Sequence, residues 1–285
     1  MPSKIYDTHP HVITTDTVRY PREPLGGTQS GWSRDRPTTT EMMVKAMDEA
    51  GVAKSAIVQA STCYGFDNAY VADAVAAHPQ RFTGVFSVDV LAADAPQKIR
   101  QWVGKGLTGL RLFTAGSTMP TQAAWLADPE TFPAWECAAE LGIPVCLQMR
   151  PEGLPQLQTL IARFGGVKMI IDHLMRAPTE DGPPYKAADY LFSLAAHKNI
   201  YLKLTSNSVR DAKKGKATPA SFFGKVVKEF GAPRVTWGSN FPASDGSLKE
   251  IVDESKAALA FLPADDQEWV FWRTAQLLYP ALADK

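Results

Sequence analysis

Val167-Lys168-Met169-Ile170-Ile171-Asp172-His173 is a short, mainly apolar run that ends on a carboxylate and an imidazole. It reads as a strand buried on both faces, because apolar residues follow one another instead of alternating with polar ones. Similar runs recur at Ser55 to Ala60, Phe82 to Val88, Leu107 to Phe113, Ile143 to Met149, Ile200 to Leu204 and Arg234 to Gly238. Helical patterns fall between them, near Asp67 to His78, Ala95 to Val103, Pro133 to Leu141, Leu154 to Phe164, Ala187 to His197 and Ser221 to Phe230. Two further helices close the chain. Short buried strands alternating with helices predict a parallel sheet. With a first strand near Ile5, about eight strand–helix pairs result, the count of a closed (β/α)8 barrel.

The length of 285 residues suits one such barrel, and no linker-like change of composition divides it. Residues 1–285 are therefore expected to form a single α/β domain of the TIM type. An open doubly wound sheet is the runner-up, but no glycine-rich dinucleotide loop follows the first strand.

Working outward to the N-terminus, Ile5-Tyr6-Asp7-Thr8-His9-Pro10-His11 carries two histidines two residues apart. On an extended strand such residues point the same way. Two imidazoles so placed can bind one metal ion or polarise one carbonyl. The segment from Val12 to Pro37 is long and irregular, and Tyr20 and Trp32 suggest that it folds over something. Thr38-Thr39-Thr40-Glu41 has a capping-box pattern. Met42, Met43, Ala46, Met47 and Ala50 follow at helical spacing, read as core packing, and Gly51 stops that helix.

Hydrophobic residues make up 45% of the chain and charged residues 21%, a globular balance. Thirty basic residues offset thirty acidic ones, so no net field favours nucleic acid or an anionic membrane. Cys63, Cys137 and Cys146 are scattered and odd in number, which suits reduced thiols. No signal peptide and no apolar run near the roughly 20 residues of a bilayer span are visible. A cytoplasmic or other reducing setting is expected. A homo-oligomer is left open.

Active-site residues of α/β barrels sit at the C-terminal ends of the strands. His78 and His197 lie at helix C-termini and read as structural. His9, His11 and His173 fall at strand ends. Arg111, Gln148, Arg150, Arg176, Lys203 and Arg210 also lie on or after strands, and Gln59-Ala60-Ser61-Thr62 ends the second. Several arginines around one mouth read as a ring for carboxylates, which guanidinium can clamp in a bidentate fork.

Asp7-x-His9-x-His11, Asp172-His173 and Trp237-Gly238-Ser239-Asn240-Phe241-Pro242 resemble the amidohydrolase superfamily. The nearer likeness is to the amidohydrolase-related group of 2-pyrone-4,6-dicarboxylate lactonase-type hydrolases and decarboxylases. Ile57-Val58-Gln59-Ala60-Ser61, Asp67-Asn68-Ala69, Gly109-Leu110-Arg111 and Ile171 to Arg176 add to it, and it spans nearly the whole chain. The resemblance implies a mononuclear or metal-free site. His9, His11 and His173 would polarise a lactone carbonyl, while Ser61, Arg111, Gln148, Arg176 and Arg210 would hold a carboxylated substrate of aromatic-compound degradation. No cofactor is expected. The alternative is one divalent metal such as zinc at His9, His11 and His173, in a decarboxylase or hydratase.

Two departures stand out. Gln148 occupies a place where metal-dependent relatives carry a histidine or lysine. Asn240 occupies the place of the aspartate that acts as general base, and an amide cannot accept that proton. Three explanations follow: a base-removing substitution at Asn240, another base such as a histidine or Asp245, or different chemistry, binding alone included.

Overall fold

Eight parallel strands, in sequence order around one sheet, organise the molecule. The computed structural model describes residues 1–284. The strands are β1 (Tyr6–Asp7), β2 (Lys54–Val58), β3 (Phe82–Phe86), β4 (Leu107–Phe113), β5 (Val145–Gln148), β6 (Met169–Ile171), β7 (Ile200–Thr205) and β8 (Val235–Gly238). Each neighbouring pair from β1–β2 to β7–β8 is in parallel register. The seam between β8 and β1 is bridged by the Thr8 N–H donating to Trp237 O (3.2 Å) and the Ser239 N–H donating to the Asp7 carboxylate (2.8 Å). The result is a nearly closed TIM-type barrel with a helix after every strand.

The helices follow the apolar periodicity. Met43, Met47 and Ala50 are on the buried face of Thr40–Ala50, but Met42, expected in the core, lies one position off that face and is 53% exposed; Gly51 ends the helix in a left-handed conformation (φ 70°). The cap differs from the expected box. Thr39 is the N-cap and its hydroxyl accepts from the Met42 N–H, so Glu41 sits one place too early to close a box. True capping boxes open Pro219–Phe230, at Thr218 and Ser221, and Leu248–Leu259, at Ser247 and Glu250. His78 and His197 do cap helical segments at their C-terminal ends.

The barrel interior is filled from below by the chain's last turns. Tyr279, Leu278 and Leu282 pack against Tyr6, Val58, Val85, Cys146 and Ile170. Gly109 makes this possible: a Cβ there would lie 2.8 Å from the Tyr279 ring. The plug closes the N-terminal end of the barrel and leaves the other end for chemistry. No helix of the described residues is long and apolar enough to cross a membrane.

Candidate active site

β1 ends at Asp7, and its continuation delivers His9 and His11 to the barrel mouth. The rings meet edge to face, with centroids 5.0 Å apart. His9 fits there because β8 has no side chain at Gly238, where a Cβ would stand 2.6 Å from the His9 Cβ. His173 arrives from the end of β6 with its ring centroid 4.7 Å from that of His9. The strand-end histidines thus form one cluster.

β6 delivers more than a histidine. His173, Leu174, Met175 and Arg176 all have positive φ, from 49° to 56°. Four consecutive non-glycine residues in that region are strained, by roughly 1–2 kcal/mol each. The tight left-handed turn brings both His173 and Arg176 to the same pocket.

Beneath the histidines lies a buried ion network. Asp172 meets Arg111 Nε at 2.9 Å and Lys203 Nζ at 2.9 Å. Burial alone would raise the Asp172 carboxyl, but Lys203 and Arg111 outweigh it and hold it well below the usual range. Burial lowers His9 well below the ordinary imidazole value, with Lys203 adding to it. Burial likewise pushes His11 and His173 down to about 3, reinforced by Arg111. All three rings are therefore neutral at physiological pH. Asp7, pushed up to about 6 by burial, accepts from the Ser239 and His9 N–H groups.

The pocket above has a volume of about 140 Å³. His11, His173, Arg111, Arg176, Gln148 and Asn240 line it, and so does Ser61. His9 and Asp172 lie deeper. Ser61 turns its hydroxyl to Gln59 (2.8 Å). Gln148 accepts from Arg111 Nη2 (3.0 Å), which leaves its amide NH2 without a protein partner among the described residues. Asn240 donates from Nδ2 to Ser244 Oγ (3.0 Å), so its Oδ1 is the free end. Arg176 is exposed and has no protein partner among the described residues.

Two expected residues lie elsewhere. Arg210 is not brought to this pocket: it pairs with Glu254 (3.1 Å) and donates to Asp245 O (2.8 Å). Asp245, an alternative base, points outward to Arg36 with a side chain 92% exposed. Sequence reading passed over Lys203 as a partner of Asp172, and over Asn207 and Ser117 in the lining. Trp32 is where the long segment folds over something: its ring lies 5.1 Å from that of His11.

Ligand atoms of His9, Asp172 and His173 all lie within 4.8 Å of one another, close enough to consider a cation. His9 offers two ring nitrogens without partners among the described residues. The only anionic donor, Asp172, is already engaged by two cations, so a divalent ion there would face Lys203 and Arg111 at close range. The His–Asp–His grouping is thus of the kind that can hold one divalent cation, with Lys203 and Arg111 as the charges that oppose it.

A family model described as amidohydrolase matches residues 6–281. Among curated relatives, the L-fucono-1,5-lactonase of Burkholderia ambifaria is 26% identical over 121 residues, 42% of each chain. The chain thus spans less than half of that relative's length. The 4-sulfomuconolactone hydrolase of Rhizobium radiobacter is 24% identical over 88% of this chain and 83% of its own. Three solved structures share the fold. A Pseudomonas putida protein with the provisional name 2-pyrone-4,6-dicarboxylic acid hydrolase has a TM-score of 0.78 at 20% identity, over 100% of both chains. A zinc-bound amidohydrolase of Burkholderia multivorans has a TM-score of 0.76 at 18% identity, over 98% and 99%. A manganese-bound dihydroxybenzoic acid decarboxylase of Polaromonas sp. JS666 has 0.72 at 16%, over 100% and 98%.

Proposed function

The chain belongs to the amidohydrolase family, and from that premise we propose that it opens a lactone, or a related ester, of a small carboxylated ring compound without a metal ion. The observation that carries this reading is the pocket lining. It holds two neutral imidazoles and two guanidinium groups, and no carboxylate. Such a lining favours an anionic substrate. The two lactone-hydrolysing relatives support the reaction class.

Arg176 has its fork free for a substrate carboxylate. Arg111 and the Gln148 amide NH2 offer N–H groups where the lactone carbonyl gains negative charge. The base is His11. A carbonyl oxygen can only accept, so the 2.7 Å contact from His11 Nδ1 to Val58 O places the proton on Nδ1 and the lone pair on Nε2. Burial first, and Arg111 second, keep this imidazole low, and a substrate anion beside that arginine offsets the second of these. Asn240 Oδ1 accepts one hydrogen of the attacking water while His11 Nε2 takes the other proton. The tetrahedral adduct then expels the ring oxygen, which receives that proton from His11. The product is the ring-opened hydroxy acid.

The second reading is a metal-dependent decarboxylase or hydratase, favoured by the unpartnered His9 nitrogens near His173. One experiment separates the two. Purified protein is assayed on a panel of carboxylated lactones before and after chelation, with elemental analysis. Hydrolysis that survives chelation is expected. One equivalent of zinc or manganese whose removal abolishes turnover would overturn the metal-free reading.

A further inference from the structure

Beside the reaction pocket lies a second chamber of about 200 Å³. We propose that it is a substrate subsite that takes an apolar substituent, an alkyl or aryl group, carried by the carboxylated lactone. The inference rests on the hydrolase reading above and specifies the substrate class of that site.

The two spaces share a wall. Arg111 and Phe113 line both. Ser61 of the reaction pocket and Ser87 of the chamber meet through their hydroxyls at 3.2 Å. A substituent on a ring held by Arg111 therefore has the chamber as its neighbour. The size is adequate, since a cavity of roughly 150 Å³ lined by apolar side chains takes up benzene.

The lining is mainly apolar, with Ser87, Asp89 and Arg111 as its polar members, where a solvated loop cluster would be polar throughout. Leu25, Leu91, Met119 and Trp125 are half-buried around it, and Phe66 is 42% exposed. Five large apolar side chains, left partly wet around one concavity, mark a place where a ligand completes the burial.

The roof is built, and it comes from the long segment after β1. Leu25 donates its N–H to Ser61 O (2.9 Å), and its carbonyl accepts from Thr118 Oγ1 (2.8 Å). Gly26 follows at φ 84°, where a Cβ would stand 2.1 Å from Thr118 O. Leu25 is thus pinned between the loops after β2 and β4, at the edge of the chamber. The same segment carries Trp32 over His11, so one loop covers both the reacting bond and the substituent.

The test is a series of carboxylated lactones with substituents growing from hydrogen to butyl. In the native chain kcat/KM should rise about two- to fourfold per added methylene, the usual worth of burying that group. Leu91→Trp and Met119→Trp fill the chamber from half-buried positions outside the reaction pocket. Both should hydrolyse the unsubstituted lactone at the native rate and lose the rise with chain length. If the unsubstituted lactone is hydrolysed and no rise is seen, the subsite is wrong while the hydrolase reading stands. If no lactone is hydrolysed, calorimetry with straight-chain carboxylates from acetate to octanoate reads the chamber directly. Affinity that grows with length in the native chain, but not in Leu91→Trp, supports the subsite. Length-independent affinity, or no binding, overturns it.

Discussion

His11 donates from Nδ1 to the Val58 carbonyl at 2.7 Å, and this contact decides which end of the imidazole faces the pocket. The His11 backbone N–H donates to Phe241 O (2.8 Å), so the ring is held beside the turn that carries Asn240. His11→Gln should cut kcat by about 10²–10⁴-fold, the usual cost of losing a positioned base. Substrate affinity should change far less, because the carboxylate site proposed above is Arg176. Steady-state kinetics at several pH values checks this. A change confined to KM would move His11 from catalysis to binding.

Acid should destabilise the fold early. His9, His11 and His173 are depressed in the folded state, the latter two to about 3, so between about 3 and 6.5 the unfolded chain binds more protons at these sites. Their contribution is complete above the unfolded value and is lost as pH falls through that window. Asp7 opposes this. Its folded value of about 6 lies above the unfolded one, so it favours the fold as pH drops from 6 toward 3.8. Three groups against one leave a net loss, at roughly 1.4 kcal/mol per pH unit for each proton. Tm measured from pH 7 to pH 4 should fall steadily; a flat profile would contradict the buried neutral histidines.

The buried ion network should respond asymmetrically. Asp172→Asn leaves Lys203 and Arg111 facing each other without their counter-ion, a loss of about 3–5 kcal/mol. Lys203→Met keeps the Arg111–Asp172 pair and sets an apolar chain among Cys146 and its neighbours, so it should cost less. Denaturant midpoints of the two variants give the comparison. Equal losses would mean that Lys203, not Arg111, is the partner that holds Asp172.

Much of this site could be read from the chain, and the reasons differ by element. The strands show because each is a continuous apolar run, and His9, His11 and His173 stand out as polar residues at their ends. The turn from His173 to Arg176 does not show, since nothing in Leu174 or Met175 marks a left-handed conformation. Lys203 becomes a partner of Asp172 only through register: Ile171 of β6 pairs with Leu202 of β7, which sets the next residues side by side. Arg210 was legible as a strand-end arginine, but its pairing with Glu254 is a tertiary contact across 44 residues. The Tyr279 plug needs the empty space at Gly109, which no local pattern announces.

Asn240 carries the last prediction. Its Nδ2 donates to Ser244 Oγ, and Ser206 Oγ lies 2.7 Å from that hydroxyl and 2.8 Å from Ser239 O. In this chain Asn240 keeps its Oδ1 acceptor without a protein partner among the described residues. An aspartate has nearly the same shape, and Ser244 can turn its hydroxyl from Asn207 Oδ1, a long contact at 3.4 Å, to donate to it, so Asn240→Asp should fold as before. The carboxylate would add a true base beside the attacking water and would raise the basicity of His11. Turnover of a carboxylated lactone should therefore rise by about 10-fold or more, within the range that general bases supply. The gain should sit in kcat, while KM should rise somewhat, because a carboxylate then faces the anionic substrate. Asn240→Ala, which removes the acceptor, should be slower than the native chain. If Asn240→Asp is instead the slower enzyme, the neutral amide is part of the working machinery, and the water is activated somewhere other than between His11 and Asn240.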